Sequence, residues 1–220
     1  MPNANIFRWR DGAGWLILAG SGTAGNEVET LALTRLHPGD PIAYVFAASD
    51  ADTAERHLVA LDEAGAPTGY LVDVQTEDDD TLRAQLSQAG LIILGDGLNV
   101  ATLRGGITGA ALDGIAHAYT QGAIVLGIGA GAAVLGQKFV AGGALRDGFG
   151  WLEKSIILPG YQALRDAERM RGFLVDQPAL FGLGLGADSA LAFGSDGAVE
   201  SWGARQIAVT LGAAWVNAAQ

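Results

Sequence analysis

The chain contains no cysteine, which removes a disulfide framework and every thiolate metal site from consideration. Histidine is scarce. Only His37, His57 and His117 are present, none with a second ligand at a metal-binding helical spacing, so no metal is expected. No run of about 18 or more residues is apolar throughout and free of charges and turn residues, so no membrane span is expected. Cations are few: 13 Lys and Arg stand against 24 Asp and Glu, a net charge of −11. A phosphate backbone is bound by clustered Lys and Arg, so a nucleic-acid partner is not expected. A small cationic ligand or a protein partner suits the field better, although acidity also serves simply to keep an Ala- and Gly-rich chain soluble. The opening Met1-Pro2-Asn3-Ala4-Asn5 lacks the basic stretch and apolar core of a secretory signal, from which a cytoplasmic location is expected.

What is present reads as a globular α/β protein. Half of the 220 residues are hydrophobic and 33 are glycine without a repeat period, which predicts one domain over residues 1–220 with many tight turns. Short apolar runs alternate with helical patterns, the signature of a mainly parallel sheet. The runs Trp15 to Ala19, Ile42 to Phe46, Tyr70 to Val74, Leu91 to Leu94 and Ala123 to Leu126 predict strands. Between them fall helices over about 26–36, 50–64, 81–89 and 107–120, and a later one spans 163–175. The acids Glu77, Asp78, Asp79 and Asp80 precede the third of these and are read as helix capping, since their spacing does not suit a calcium loop. Beyond Gly136 the glycines at 142, 143, 148 and 150 interrupt the pattern, and Trp151 to Leu158 reads as another strand. The runs 181–185, 190–193, 199–202 and 207–211 read as short antiparallel strands at the sheet edge.

The most informative segment is Gly127-Ile128-Gly129-Ala130-Gly131-Ala132, between an apolar strand and the start of a helix. A strand-turn-helix of this kind lifts a nucleophile above the sheet in many α/β hydrolases. The central position then needs a hydroxyl or thiol. Here it is Gly129, which has no side chain.

Several segments together resemble the cyanophycinase and aspartyl dipeptidase (dipeptidase E) family of serine peptidases. Leu91-Ile92-Ile93-Leu94-Gly95-Asp96-Gly97 is similar to that family's strand and Gly-Gly loop. The segment 127–132 is similar to its Gly-Thr-Ser-Ala-Gly-Ala elbow. Asp147-Gly148-Phe149-Gly150-Trp151-Leu152 is similar to its Asp-Gly-Leu-Gly-Leu-Leu segment, and Gly184 to Leu191 to its Gly-Ile-Asp-Glu-Asp-Thr-Ala-Leu segment. The resemblance implies a class I glutamine amidotransferase-like fold, that is, a flavodoxin-like three-layer α/β/α sandwich. It also implies that Gly129 stands where the nucleophilic Ser would be and Gly160 where the general-base His would be. The departures fall on the groups that do the chemistry, while the glycines that shape the backbone remain. The expectation is a catalytically inactive homologue that binds a ligand or partner. An active hydrolase using other residues and a nucleotide-binding module are the alternatives.

A pocket at the strand ends is expected from Gly95, Asp96, Asn99, Gly127, Ile128, Gly129, Ala130, Ser21 and Ser49, because ligands gather at the carboxyl ends of strands in open α/β sheets. In the family, the loop after the 91–94 strand supplies oxyanion donors. The Asp96 carboxylate beside them would repel an anion but attract an ammonium or guanidinium group, which predicts that Asp96 and Asn99 edge a shallow pocket over Gly129. A turn cap at Asp96 is the plainer reading. Helix capping is likewise the plainer role for Ser21 and Ser49. Gly20-Ser21-Gly22-Thr23-Ala24-Gly25 fits G-x-G-x-x-G between a strand and a helix, but the nearest strand-end acid, Asp50, is too far along to hold a ribose and Asp40 lies in a turn, so no cofactor is expected. His37 is read as solvent-facing, and His57 and His117 as ordinary helical residues away from the elbow. Trp151, Leu152, Trp202 and Trp215 fill the core or, failing that, form a homodimer surface.

Overall fold

Four apolar residues in a row, without polar alternation, make a stable strand where both faces are covered. The computed structural model, which describes residues 6–217, has two strands of this kind at its centre. In β1 (Leu16–Ala19), Leu16 and Leu18 enter one buried cluster while Ile17 and Ala19 enter another on the opposite face. β2 (Ile42–Phe46) and β3 (Gly69–Asp73) follow, and then β4 (Leu91–Leu94), which divides its side chains as β1 does. With β5 (Ile124–Ile128) these strands form a parallel array in the order β1-β5-β4-β2-β3. Residues 1–5, on which the expectation about a secretory signal rested, lie outside the described residues.

Helices cover both faces. On one side, α1 (Glu27–Thr34) and α2 (Ala51–Glu63) bury Val28, Ala32, Ala54 and Leu61 with Ile17 and Ile93. On the other, α3 (Asp79–Gln88), α4 (Val100–Gly106) and α5 (Gly109–Thr120) bury Leu82, Leu86, Leu103 and Ile115 with Leu18 and Leu94. The arrangement is a flavodoxin-like three-layer α/β/α sandwich. The first three helices each start on a side-chain cap. Asn26 Oδ1 accepts from Glu29 N at 3.1 Å, Asp50 Oδ1 from Thr53 N at 2.8 Å, and Asp78 Oδ1 from Thr81 N at 2.9 Å. Within the acidic run Asp78 is therefore the cap, and Asp79 and Asp80 stand in the first turn of α3.

The later chain departs from expectation. After α6 (Ala130–Leu135), the antiparallel pair β6 (Gly136–Ala141) and β7 (Ala144–Asp147) turns at Gly142 and Gly143, whose φ of 59° and 78° make the two-residue turn that favours a hairpin. These glycines interrupt the strand and helix pattern because they form the hairpin turn. β8 (Leu152–Pro159) leads to α7 (Ala163–Val175), then β9 (Phe181–Leu185), β10 (Ser189–Phe193), β11 (Val199–Gly203), β12 (Ile207–Leu211) and α8 (Ala213–Asn217). Only β10 and β11 form the expected antiparallel edge, beside β1. β9 and β12 belong instead to a second sheet, β12-β9-β8-β6-β7, in which β9 runs parallel to β8. A short apolar run specifies burial but not its partner, and packing chose between the sheets. The predicted 107–120 helix is α5, preceded by a separate short helix, α4, that buries Leu103 alone and so leaves no periodic stripe to read.

Trp151, Leu152 and Trp202 are buried in the core rather than offered as a dimer surface. Trp215 is half-buried, edge-on to Phe181 at 6.3 Å, with its indole N–H donating to the Ala179 carbonyl at 2.9 Å. Among the described residues, no helix is long and apolar enough to cross a membrane.

Candidate functional site

The pairing registers set Ala19 beside Ile128, and Leu94 beside both Gly127 and Val45, so the carboxyl ends of β1, β5, β4 and β2 meet at one edge. Directly after β5, Gly129 turns the chain into α6 with φ 52° and ψ −109°, a conformation that strains any residue with a side chain. The bend is pinned by Gly129 N–H donating to Ala19 O and Ala133 N–H donating to Gly129 O, both at 3.0 Å. Its neighbours are glycine for a steric reason: a Cβ at Gly127 would collide with the backbone of Gly131 and Ala132, and one at Gly131 with the Leu94 carbonyl. The elbow geometry is intact.

The space above the bend is filled. A Cβ built on Gly129 would overlap Oδ1, Cγ and Oδ2 of Asp96, closer than the 3.0 Å that real Cβ contacts respect. Asp96 Oδ1 accepts hydrogen bonds from Gly97 N–H at 2.7 Å and from Ala130 N–H at 2.9 Å. The amide of the residue after a nucleophile, paired with a loop amide, is how an oxyanion hole is made at such an elbow. Here both amides hold a carboxylate of the same chain. The shallow pocket expected over Gly129 is thus occupied by Asp96, because an aspartate on this loop is long enough to reach the amides and Gly129 leaves it room. Oδ2 accepts no hydrogen bond among the described residues.

The other expected residues are spread around this point. Gly95 follows β4, and a Cβ there would strike the Tyr44 ring and hydroxyl. Ser49 closes the end of β2, with its Oγ buried and unpartnered among the described residues. Asn99 is exposed and makes no side-chain cap to α4, while its N–H donates to Ala48 O at 3.1 Å. Ser21 follows β1 and accepts from Asp188 N–H through its carbonyl at 3.2 Å. Gly160 ends β8 in the second sheet at φ 67°, with open space where a side chain would stand. The next residue, Tyr161, donates its N–H to Leu185 O at 3.0 Å, and the backbone of Gly20 packs closely on the Leu185 and Gly186 carbonyls.

Two groups near the site escaped the sequence reading. His57 is not an ordinary helical residue. Its side chain is 14% exposed, with Nε2 2.6 Å from Glu29 Oε1 and Nδ1 3.4 Å from the Tyr44 hydroxyl. Burial, then the charges of Glu29 and Asp96, push the Tyr44 hydroxyl up. The available signal was Glu29 itself, a carboxylate lying in the Val28, Glu29, Ala32 stripe that α1 buries. Its other oxygen accepts from Gly25 N–H. Asp188, held at φ 52°, accepts from Thr23 N–H at 3.3 Å and from the Asn26 amide at 3.2 Å. Two amides of the G-x-G-x-x-G loop are thus engaged by carboxylates of this chain, an arrangement that repels a pyrophosphate. His37 and His117 are exposed. Among the described residues, no group of three or more His, Cys, Asp and Glu could hold a metal ion.

No protein-family model and no curated protein matches the chain. Its fold is shared with solved peptidase structures. A peptidase from an acI-B1 Actinobacterium superimposes with a TM-score of 0.67 at 20% identity, over 92% of this chain and 93% of that one. A protein of Listeria monocytogenes EGD-e, solved as a "Putative Peptidase E Protein", gives a TM-score of 0.59 at 16% identity, over 90% of this chain and 98% of that one.

Proposed function

We propose that the chain is a catalytically inactive homologue of cyanophycinase and dipeptidase E type serine peptidases, working as a ligand- or partner-binding protein. One observation carries this reading: Asp96 sits on the two amides that would stabilise an oxyanion, over an elbow whose Gly129 supplies no nucleophile. A tetrahedral intermediate cannot form its oxyanion where a carboxylate already stands, and loss of hole donors alone costs about 10²–10³ in rate. The acidic rim of Asp96 and Asp188 suits a cationic group on the bound molecule. The peptidase structures that share the fold support descent from that chemistry. The test offers the purified protein Asp- and Glu-containing dipeptides and a fluorophosphonate probe. The expected result is neither turnover nor labelling. Turnover above a heat-denatured control, or covalent labelling, refutes the proposal. Gly129→Ser alone should not restore activity, because Gly160 leaves the new hydroxyl without a base.

A second reading follows from the free Asp96 Oδ2. With Oδ1 held by two amides, the carboxylate is presented over the elbow as a nucleophile could be, which would make the protein a hydrolase with its own chemistry. Attack by Oδ2 on a substrate carbonyl would expel the amine and leave a mixed anhydride that water opens, so Asp96→Asn would abolish turnover. Turnover retained in Asp96→Asn excludes this route.

A further inference from the structure

A cavity of about 480 Å³ lies between the start of α7 and the start of β12. Its volume falls within the range of small-molecule sites, roughly 300–1,000 Å³. Tyr161, Leu164, Ile207 and Ala208 contribute its apolar wall, and Gln162, Arg205 and Gln206 the polar part. Tyr161 directly follows Gly160. Gln206 is tied to the β9–β10 loop, donating its N–H to Ser189 Oγ at 2.9 Å and accepting from Gly186 N–H at 2.7 Å.

Arg205 is the unusual member. Its backbone stands at φ 57°, a left-handed conformation that costs an arginine about 1–2 kcal/mol and a glycine nothing. Three bonds lock it there: Ala204 N–H to Asp188 O at 2.8 Å, Gln206 N–H to Ser189 Oγ at 2.9 Å, and Ile207 N–H to Arg205 O at 3.0 Å. The guanidinium makes no ion pair, hydrogen bond or aromatic stack among the described residues. In a chain of net charge −11, with acids outnumbering bases almost two to one, an uncommitted cation held by a strained turn at the mouth of an apolar cavity is a recognition group in want of an anion. Leu164 is fully exposed at the same mouth, apolar surface that a bound molecule would cover.

We propose that this cavity binds a small monoanionic carboxylate with an apolar or aromatic body, its carboxylate on Arg205 and its body against Tyr161, Leu164 and Ile207. The surrounding negative field penalises a dianion such as a phosphate monoester more than a singly charged carboxylate, and the apolar wall disfavours a highly polar acid. The inference does not depend on the plugged hole, since among the described residues neither Asp96 nor Gly129 lines this cavity.

The experiment is calorimetric titration of the intact protein with 3-phenylpropionate and, in parallel, with the uncharged 3-phenylpropan-1-ol and with phenyl phosphate. The carboxylate should bind at least about tenfold more tightly than either. Arg205→Gln, which removes the charge and keeps a polar side chain, should weaken it by a similar factor. Leu164→Glu, a change at a fully exposed position that leaves folding intact, should weaken it by placing a carboxylate at the mouth. Asp96→Ala should leave this affinity unchanged, which separates this test from that of the proposed function. Equal binding of acid and alcohol, stronger binding of the phosphate, full affinity in Arg205→Gln, or no saturable heat with the carboxylate at millimolar concentration each overturns the inference.

Discussion

If Asp96 occupies the volume above the elbow, then a side chain at position 129 and the carboxylate at 96 compete for one space, and their energies must couple. Gly129→Ser in the parent chain meets two costs. The φ of 52° strains a residue with a Cβ by about 1–3 kcal/mol. The overlap with the Asp96 carboxylate adds about 1–3 kcal/mol of overpacking, or forces the carboxylate off its amides. Asp96→Ala removes the overlapping atoms and loses two charge-assisted bonds of 2.7 and 2.9 Å. Because Asp96 is half-buried and water can replace it, about 1–3 kcal/mol is expected in total. In the double variant, the serine still carries its backbone strain but no longer meets the carboxylate. The two changes should therefore be less damaging together than their sum by about 1–3 kcal/mol. Urea unfolding of the four proteins measures this directly. Thermal unfolding should follow at roughly 2–4 °C per kcal/mol for a chain of this size. Additivity within about 0.5 kcal/mol would mean that Asp96 and position 129 do not share that space, and the plugged-hole reading would fall with it.

Two further outcomes rest on buried polar pairs. His57→Leu should destabilise by about 3 kcal/mol, because it strands the Glu29 carboxylate, 3% exposed, without its imidazole, whereas His117→Leu on the surface should stay within about 0.5 kcal/mol; equal effects in chemical denaturation would refute the pairing. Asp166, 2% exposed, is held by Arg165 Nε at 2.9 Å and Nη2 at 2.8 Å and by Gln162 N–H at 2.8 Å, and these bonds, those of Arg165 first, keep its carboxyl below the usual range. A depressed folded-state value gives stability that is present above the unfolded value of 3.8 and lost as pH falls through the folded value. Asp166→Asn should therefore cost about 1.5–3 kcal/mol at neutral pH, and the gap to the parent should close below pH 3.8; a gap independent of pH would show that the charge is not responsible.

Much of the layout was legible in the chain itself. Asn26, Asp50 and Asp78 announce helix starts because a cap bonds only two or three residues ahead, and the elbow at Gly129 is marked by its strand, its glycines and its helix within ten residues. The β6–β7 hairpin carried a readable Gly-Gly signal that was read as mere interruption. The Glu29–His57 pair, 28 residues apart, and the Asn26–Asp188 contact, 162 residues apart, had no local signal beyond a carboxylate in a buried stripe and an aspartate in a turn.

The sequence by itself determined an α/β chain with fully apolar central strands, capped helices and a nucleophile position without a side chain, because all three are properties of neighbouring residues. Tertiary structure alone decided that Asp96 fills the place above Gly129, that β9 and β12 leave the main sheet, and that Tyr161 and Arg205 face one cavity. Those outcomes depend on which strand ends meet, and that is set by the packing of side chains far apart in the chain.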